Sequence, residues 1–198
     1  MTISRRDILK SLTVSAVGGS VLQVIPLEAA EYAHRMIKAE MADTETYAPK
    51  FFSAHAYKTL RSLCDTMIPS DDESKGAVEA GAPEFIDLLT SENSEYQLTL
   101  GGGLMWLDNI CIGRYEKPYL DCAPSQQKEI LDAIAYRKNA NDDPSLGPGI
   151  EFFGLLRKLT ADGFFTSEIG IAYLGYIGNT YVHEFAGCPP VPETREDS

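Results

Sequence analysis

Residues 53–69 read SAHAYKTLRSLCDTMIP, and their apolar positions decide the fold class. Tyr57, Leu60, Leu63, Cys64, Met67 and Ile68 recur every three or four residues. An α-helix turns once in 3.6 residues, so this spacing gathers them into one stripe. A half-buried strand would need alternation at every second residue, which the stretch lacks. Ser53 offers a side-chain oxygen to the free amides of the first turn. Pro69 has no amide to donate and crowds the turn before it, so it ends the helix.

The same pattern continues on both sides. Glu28 to Met41 (EAAEYAHRMIKAEM) is rich in helix formers, and residues 42–52, with Pro49, form a break. Ser70 to Gly81 reads as a polar, acidic loop, after which Pro83 opens the helix PEFIDLLTSE. From Ser94 to Tyr115, the residues Tyr96, Leu98, Leu100, Leu104, Met105, Leu107 and Ile110 again keep helical spacing. Gly101-Gly102-Gly103 weakens that helix by about 1 kcal/mol per glycine relative to alanine, which predicts close packing or a bend. Trp106 reads as core rather than interface. Pro124 begins a helix with Ile130, Leu131, Ile134 and Ala135 inward; Asn139 to Gly149 is a turn-rich linker; Ile150, Phe153, Leu156 and Leu159 then share one face. No run alternates convincingly between hairpin turns. The expectation is all-α: a single compact helical domain over residues 31–198, with an irregular Gly- and aromatic-rich C-terminal segment, preceded by a signal helix in residues 1–30.

At 198 residues the chain suits one domain with a sizeable core. A hydrophobic content of 44% argues against disorder. The net charge of −12 repels phosphate over most of the surface and speaks against nucleic-acid binding. Four cysteines (Cys64, Cys111, Cys122 and Cys188) are too few for a disulfide scaffold, and none lies in a C-x-x-C pair. In an exported chain they enter an oxidising space where some can pair, with the pairing left open.

Ser4-Arg5-Arg6-Asp7-Ile8-Leu9-Lys10 precedes an uncharged, mildly apolar run from Ser11 to Leu27. A basic start, a weak hydrophobic region and the consecutive pair Arg5 and Arg6 mark a twin-arginine export signal, which implies a periplasmic protein and the twin-arginine translocase as partner. The run spans about 26 Å as a helix, marginal for a bilayer. Glu28-Ala29-Ala30 is a poor cleavage site, so retention of the segment as a membrane attachment stays open.

Residues able to do chemistry are sparse. No G-x-G-x-x-G, P-loop or G-x-S-x-G occurs. Gly175-x-x-Gly178 and the triple glycine read as packing features. The histidines are His34, His55 and His183, and His183-Glu184 lacks the second histidine of a zinc-protease helix, since position 187 is Gly187. Asp71-Asp72-Glu73 lacks calcium-loop spacing. No catalytic, cofactor-binding or metal-binding residue is therefore expected in this chain. Phe164, Phe165, Tyr173, Tyr176 and Tyr181 crowd the glycine-rich tail, which suits either an irregular packed segment or a partner-facing patch.

Several strings resemble, in order, the gluconate 2-dehydrogenase subunit 3 family. They are Leu60-x-x-Leu63-Cys64-Asp65-x-Met67-Ile68-Pro69-x-Asp71, Gly76-Ala77-x-Glu79-Ala80-Gly81, Phe85-Ile86-Asp87, Gly103-Leu104-x-Trp106-Leu107-Asp108, Asp162-Gly163-Phe164-Phe165-Thr166-Ser167, Gly175-Tyr176-x-Gly178-Asn179 and Phe185-x-Gly187-Cys188-Pro189. The resemblance implies a helical small subunit, without activity of its own, that binds a large FAD-carrying dehydrogenase subunit of the glucose–methanol–choline class. It implies that the small subunit supplies the export signal for both, and that electrons pass to a cytochrome or another acceptor subunit. It makes Cys188 a candidate for a disulfide to the large subunit, against a free or intrachain cysteine. The candidate partner interface is Phe164, Phe165, Tyr176, Asn179, Tyr181 and His183, read from the aromatic tail and from a histidine with no catalytic partner. The Leu174-Gly175-Tyr176-x-Gly178-Asn179 form of the tail departs from many gluconate-type members, so the substrate extends to other sugars, sugar acids or glycosides. The alternative is an independent periplasmic enzyme or ligand-binding domain that uses His183, Glu184 and the acidic loop.

Overall fold

The computed structural model describes residues 26–44 and 47–178. They are all-helical, without strands. The principal helices are α1 (Leu27–Thr44), α2 (Ala54–Met67), α3 (Ala82–Glu92), α4 (Gly102–Tyr115), α5 (Pro124–Ile134), α6 (Gly147–Phe165) and α7 (Glu168–Tyr173). Helix α6 is the hub: it packs against α2, α3, α4, α5 and α7, while α1 and α2 also lie on α3.

Local chemistry sets the boundaries. The Ser53 side chain accepts from the Ala56 amide and caps α2, whose last residue lies two before Pro69. Tyr57, Leu60, Leu63 and Cys64 of its stripe are buried. Asn93 caps a single α-turn, Ser94–Tyr96, which runs into a π-helical segment, Gln97–Gly101, and then into α4. A π turn inserts an extra residue into the helical count and so rotates the positions around it. Leu100, Leu104 and Leu107 thereby point inward, whereas Leu98 and Met105, members of the same sequence pattern, point outward.

Two expectations change. Asn139 to Gly149 is not a plain linker, because it holds an α-turn at Asn139–Asp142 and a 3-10 turn at Pro144–Leu146, and α6 already begins at Gly147. Asp143 explains this: its carboxylate accepts from the Ser145 amide and hydroxyl, while the buried Leu146 pins the turn to the core. The inward face of α6 is carried by Phe152, Leu156 and Leu159, with Ile150 and Phe153 only half-buried. The cause is the triple glycine. A Cβ on Gly103 would run into the Phe152 ring, and a Cβ on Gly149 would run into the Trp106 indole. Each helix therefore offers a bare glycine to the other's aromatic ring, and the expected close packing occurs at Gly103.

Buried carboxylates tie the loops down. Asp87 on α3 is fully buried and accepts from the Tyr47 hydroxyl at 2.9 Å and from the amides of Lys50, Phe51 and Phe52 at 2.6, 3.1 and 3.0 Å. Burial first, then the Asp87 charge, pushes the Tyr47 phenol far above its ordinary value, so it stays a donor. Glu84 accepts from the Tyr57 hydroxyl and from Arg61, each at 2.8 Å, which joins α3 to α2. Helix α1 begins at Leu27, and Ala29, Ala30, Ala33 and Ile37 bury its inner side. The residues 27–30 at the end of the expected signal segment thus belong to the first helix.

Replacing Asp87 by Ala strands one hydroxyl and three amides without an acceptor. It is expected to cost about 3–5 kcal/mol, measured as a lowered urea midpoint at unchanged m-value.

Candidate partner interface

The aromatic tail divides into a buried support and an exposed surface. Phe164 is 2% exposed and makes edge-on contacts with Phe165 and Tyr173, at centroid distances of 5.0 and 6.3 Å. Its ring belongs to the interior of the described chain, a correction to its place among surface candidates. The reason is Ser167: its hydroxyl bonds back to the Phe164 carbonyl and caps α7, folding that short helix over the Phe164 ring. Phe165, Tyr173, Leu174, Tyr176 and Ile177 are exposed. Gly175 and Gly178 have positive φ values of 65° and 91° with open space where a Cβ would stand, so they shape turns rather than close contacts. Arg5, Arg6, Asn179, Tyr181, His183, Glu184 and Cys188 lie outside the described residues.

A second apolar surface is one that the sequence pattern does not single out. Leu98, Met105 and Ile112 stand seven residues apart on the outer side of the π segment and α4, with exposures of 78%, 68% and 50%. Seven residues is close to two α-turns, so Met105 and Ile112 share one side of α4, and Leu98 stands exposed on the π segment that leads into it. Gly102 and Gly113 lie on the same outer side with open space where a side chain would be. Phe51 rests its ring on Gly101 at the edge of this ridge. Beside it His55 Nε2 meets Asp108 Oδ2 at 2.7 Å, linking α2 to α4. The sequence signal for this ridge is the seven-residue spacing. It is hidden because helical periodicity alone does not say which side of a continuous apolar segment faces the core.

Helices α1 and α7 and the residues around Gly81 enclose a cleft of about 560 Å³, lined by His34, Ile37, Met41, Glu79, Thr166 and Ile171 among others. His34 stacks on Phe85 at 5.1 Å, and its Nε2 lies 3.0 Å from Thr166 Oγ1. Burial lowers the His34 pKa, opposed by the Glu168 charge and by a hydrogen bond to the Gly163 backbone. The Lys38–Glu168 ion pair at 2.8 Å spans α1 and α7 beside the cleft. Among the described residues no group of three or more His, Cys, Asp or Glu is arranged to hold a metal ion. They contain no strand from which a dinucleotide-binding turn could leave. No helix among them is long and apolar enough to cross a membrane.

The described helical body thus leaves large apolar side chains outside at two places, the tail and the outer side of α4. The gluconate 2-dehydrogenase subunit 3 family model matches residues 54–184, about two thirds of the chain. The chain belongs to that family. Its members are subunits of a gluconate dehydrogenase complex, which implies a larger partner subunit. No curated protein and no solved structure matches the chain.

Because folding depresses the His34 pKa, the unfolded chain binds more protons below the ordinary value near 6.5. His34 therefore contributes full stability above that pH and loses it as pH falls. The melting temperature is expected to drop by a few degrees from pH 7.5 to 5, and His34→Gln, measured in the same buffers, to flatten that part of the drop.

Proposed function

We propose that this chain is the non-catalytic small subunit of a periplasmic FAD-dependent dehydrogenase acting on sugars, sugar acids or glycosides. It grips the large flavoprotein subunit and lends it a twin-arginine signal. The observation that carries the reading is the Leu98–Met105–Ile112 ridge in a chain of a subunit family. The ridge presents large exposed apolar side chains, and Gly102 and Gly113 allow a partner backbone to approach closely. Covering such a surface supplies the hydrophobic part of an interface at about 25 cal/mol per Å² of apolar area. The exposed Phe165, Tyr173, Tyr176 and Ile177 extend the same function to the C-terminal side, where Asn179, Tyr181, His183 and Cys188 follow in sequence.

In this arrangement the flavin belongs to the larger subunit and supplies the hydride chemistry when bound. A cytochrome or another acceptor subunit would take up the electrons that such a flavin yields. The small subunit holds and orients that flavoprotein. Twin-arginine export suits such a pair, because it carries cargo already folded around its cofactor.

Two experiments test the proposal. The tagged chain, isolated from its own host, is expected to bring down a larger flavoprotein. Met105→Asp is expected to weaken that complex at least tenfold, since an aspartate would be desolvated without a partner. The melting temperature of the free variant should stay nearly constant, because Met105 is exposed. Isolation as a free monomer, or undiminished binding by the variant, overturns the docking role. Separately, joint replacement of Arg5 and Arg6 by Lys is expected to retain both subunits in the cytoplasm. Normal export of the flavoprotein in that double variant would defeat the escort role.

A further inference from the structure

We infer that Cys111 and Cys122 form an intrachain disulfide when the chain meets an oxidant of the disulfide class, stapling the end of α4 to the reversal that follows it. Both residues are buried, at 0% and 6% exposure, and both belong to the hydrophobic core. Three features of the chain bring them together. Glu116 ends α4 in the left-handed region at φ 60°, and its amide closes on the Ile112 carbonyl, which turns the chain back. Asp108 Oδ1 then accepts from the Tyr119 amide at 3.0 Å and holds the returning 3-10 turn, Tyr119–Asp121, against α4. Gln127 on α5 donates to the Tyr119 carbonyl at 2.9 Å from the other side. The Asp108–Tyr119 bond thus brings the two stretches together, and Cys111 and Cys122 each lie three residues beyond one end of it. Next to burial, Cys122 is the strongest influence on the Cys111 thiol.

The pocket around them gives the thiols little else to do. The Tyr119 ring is fully buried beside both sulfurs, and its hydroxyl has no hydrogen-bond partner. Cys122 turns its Sγ to the Pro118 and Lys117 carbonyls at 3.4 and 3.7 Å, which are weak thiol bonds. Cys64 differs. It lies between α2 and α6, 3.5 Å from Thr160 Oγ1, with no other thiol among the groups acting on it. It is expected to remain reduced.

The reaction balances as two exchanges. Cys122, the less buried thiol, loses its proton and attacks the oxidant's S–S bond, which breaks, releases one thiol and leaves a mixed disulfide on Cys122. Burial and the neighbouring Cys122 push the Cys111 thiol up to about 12, so it is the poorer first nucleophile. Held beside the mixed disulfide, Cys111 then attacks the Cys122 sulfur, loses its proton and expels the oxidant's second thiol. Two cysteine thiols have been oxidised and one disulfide reduced to two thiols. The bond closes the short loop between residues 111 and 122 and so constrains the unfolded chain.

The pairing rests on geometry, whereas its occurrence in the cell rests on the proposed export, and the test separates the two. Purified full-length protein is equilibrated with oxidised glutathione, its free thiols are blocked in denaturant, and its peptides are mapped without reduction. The expected product links Cys111 to Cys122, leaves Cys64 blocked, and melts roughly 5–10 °C above the reduced form. In Cys122→Ser that redox dependence of the melting temperature should vanish. Free Cys111 and Cys122 after equilibration, or either one joined to Cys64 or Cys188, overturns the inference. The same mapping on protein taken directly from its host reads the compartment. The linkage found there supports export as well, and thiols free in the host but linked in glutathione uphold the pair and count against export.

Discussion

The fold depends on one carboxylate in a place where a carboxylate is costly. Asp87 is removed from water on α3, the helix between α1, α2 and α6, and an isolated ionised acid there would be strongly destabilising. It is tolerated because four donors from the segment just before α2 converge on its two oxygens. The dependence runs both ways. Without the carboxylate, the amides of Lys50, Phe51 and Phe52 would have to find water, and the entry into α2 would lose its anchor. Glu84, one turn earlier, repeats the device more weakly with Tyr57 and Arg61. Burial of apolar stripes supplies the bulk of the stability, but these acids decide how the stripes are oriented.

Periodicity is enough to reveal the helices and their ends. Ser53, Pro69, Pro83 and Pro124 act where their backbone chemistry says they must, because capping and the missing proline amide are local effects. Rotation about a helix axis is not local. Phe152, rather than Phe153, faces inward because Gly103 leaves room for a ring, a fact held 49 positions away in the sequence. The outward ridge on α4 is illegible for the same reason, since periodicity alone does not say which side of an apolar helix faces the core. In sequence Asp87 looks like one more polar residue on an amphipathic helix. Its role becomes visible only when the loop over residues 47–52 is folded against it. For the tail, composition announces both buried and exposed aromatics, and the cap at Ser167 sorts Phe164 from Phe165.

Several polar groups that could have done chemistry are engaged in structural bonds. Asp108 serves α2 through His55 and the α4 reversal through Tyr119. His34 is stacked and bonded within a cleft wall, and Asp71 accepts from the amides of Glu73 and Ser74 within its own loop. Among the described residues, Leu98, Met105 and Ile112 stand exposed as large apolar side chains. That surface, in a chain of a subunit family, is the basis of the proposed role.

The reciprocal seating of Phe152 on Gly103 and of Trp106 on Gly149 has an evolutionary corollary. Each ring occupies volume that its facing glycine vacates, so neither member can drift alone: enlarging a glycine displaces a ring, and shrinking a ring opens a void. Two such couples, set at separate points along one helix crossing, also forbid sliding and rolling together. A change at any one of the four positions is therefore tolerable only with a matching change at its partner, so the crossing carries two linked constraints rather than four separate ones.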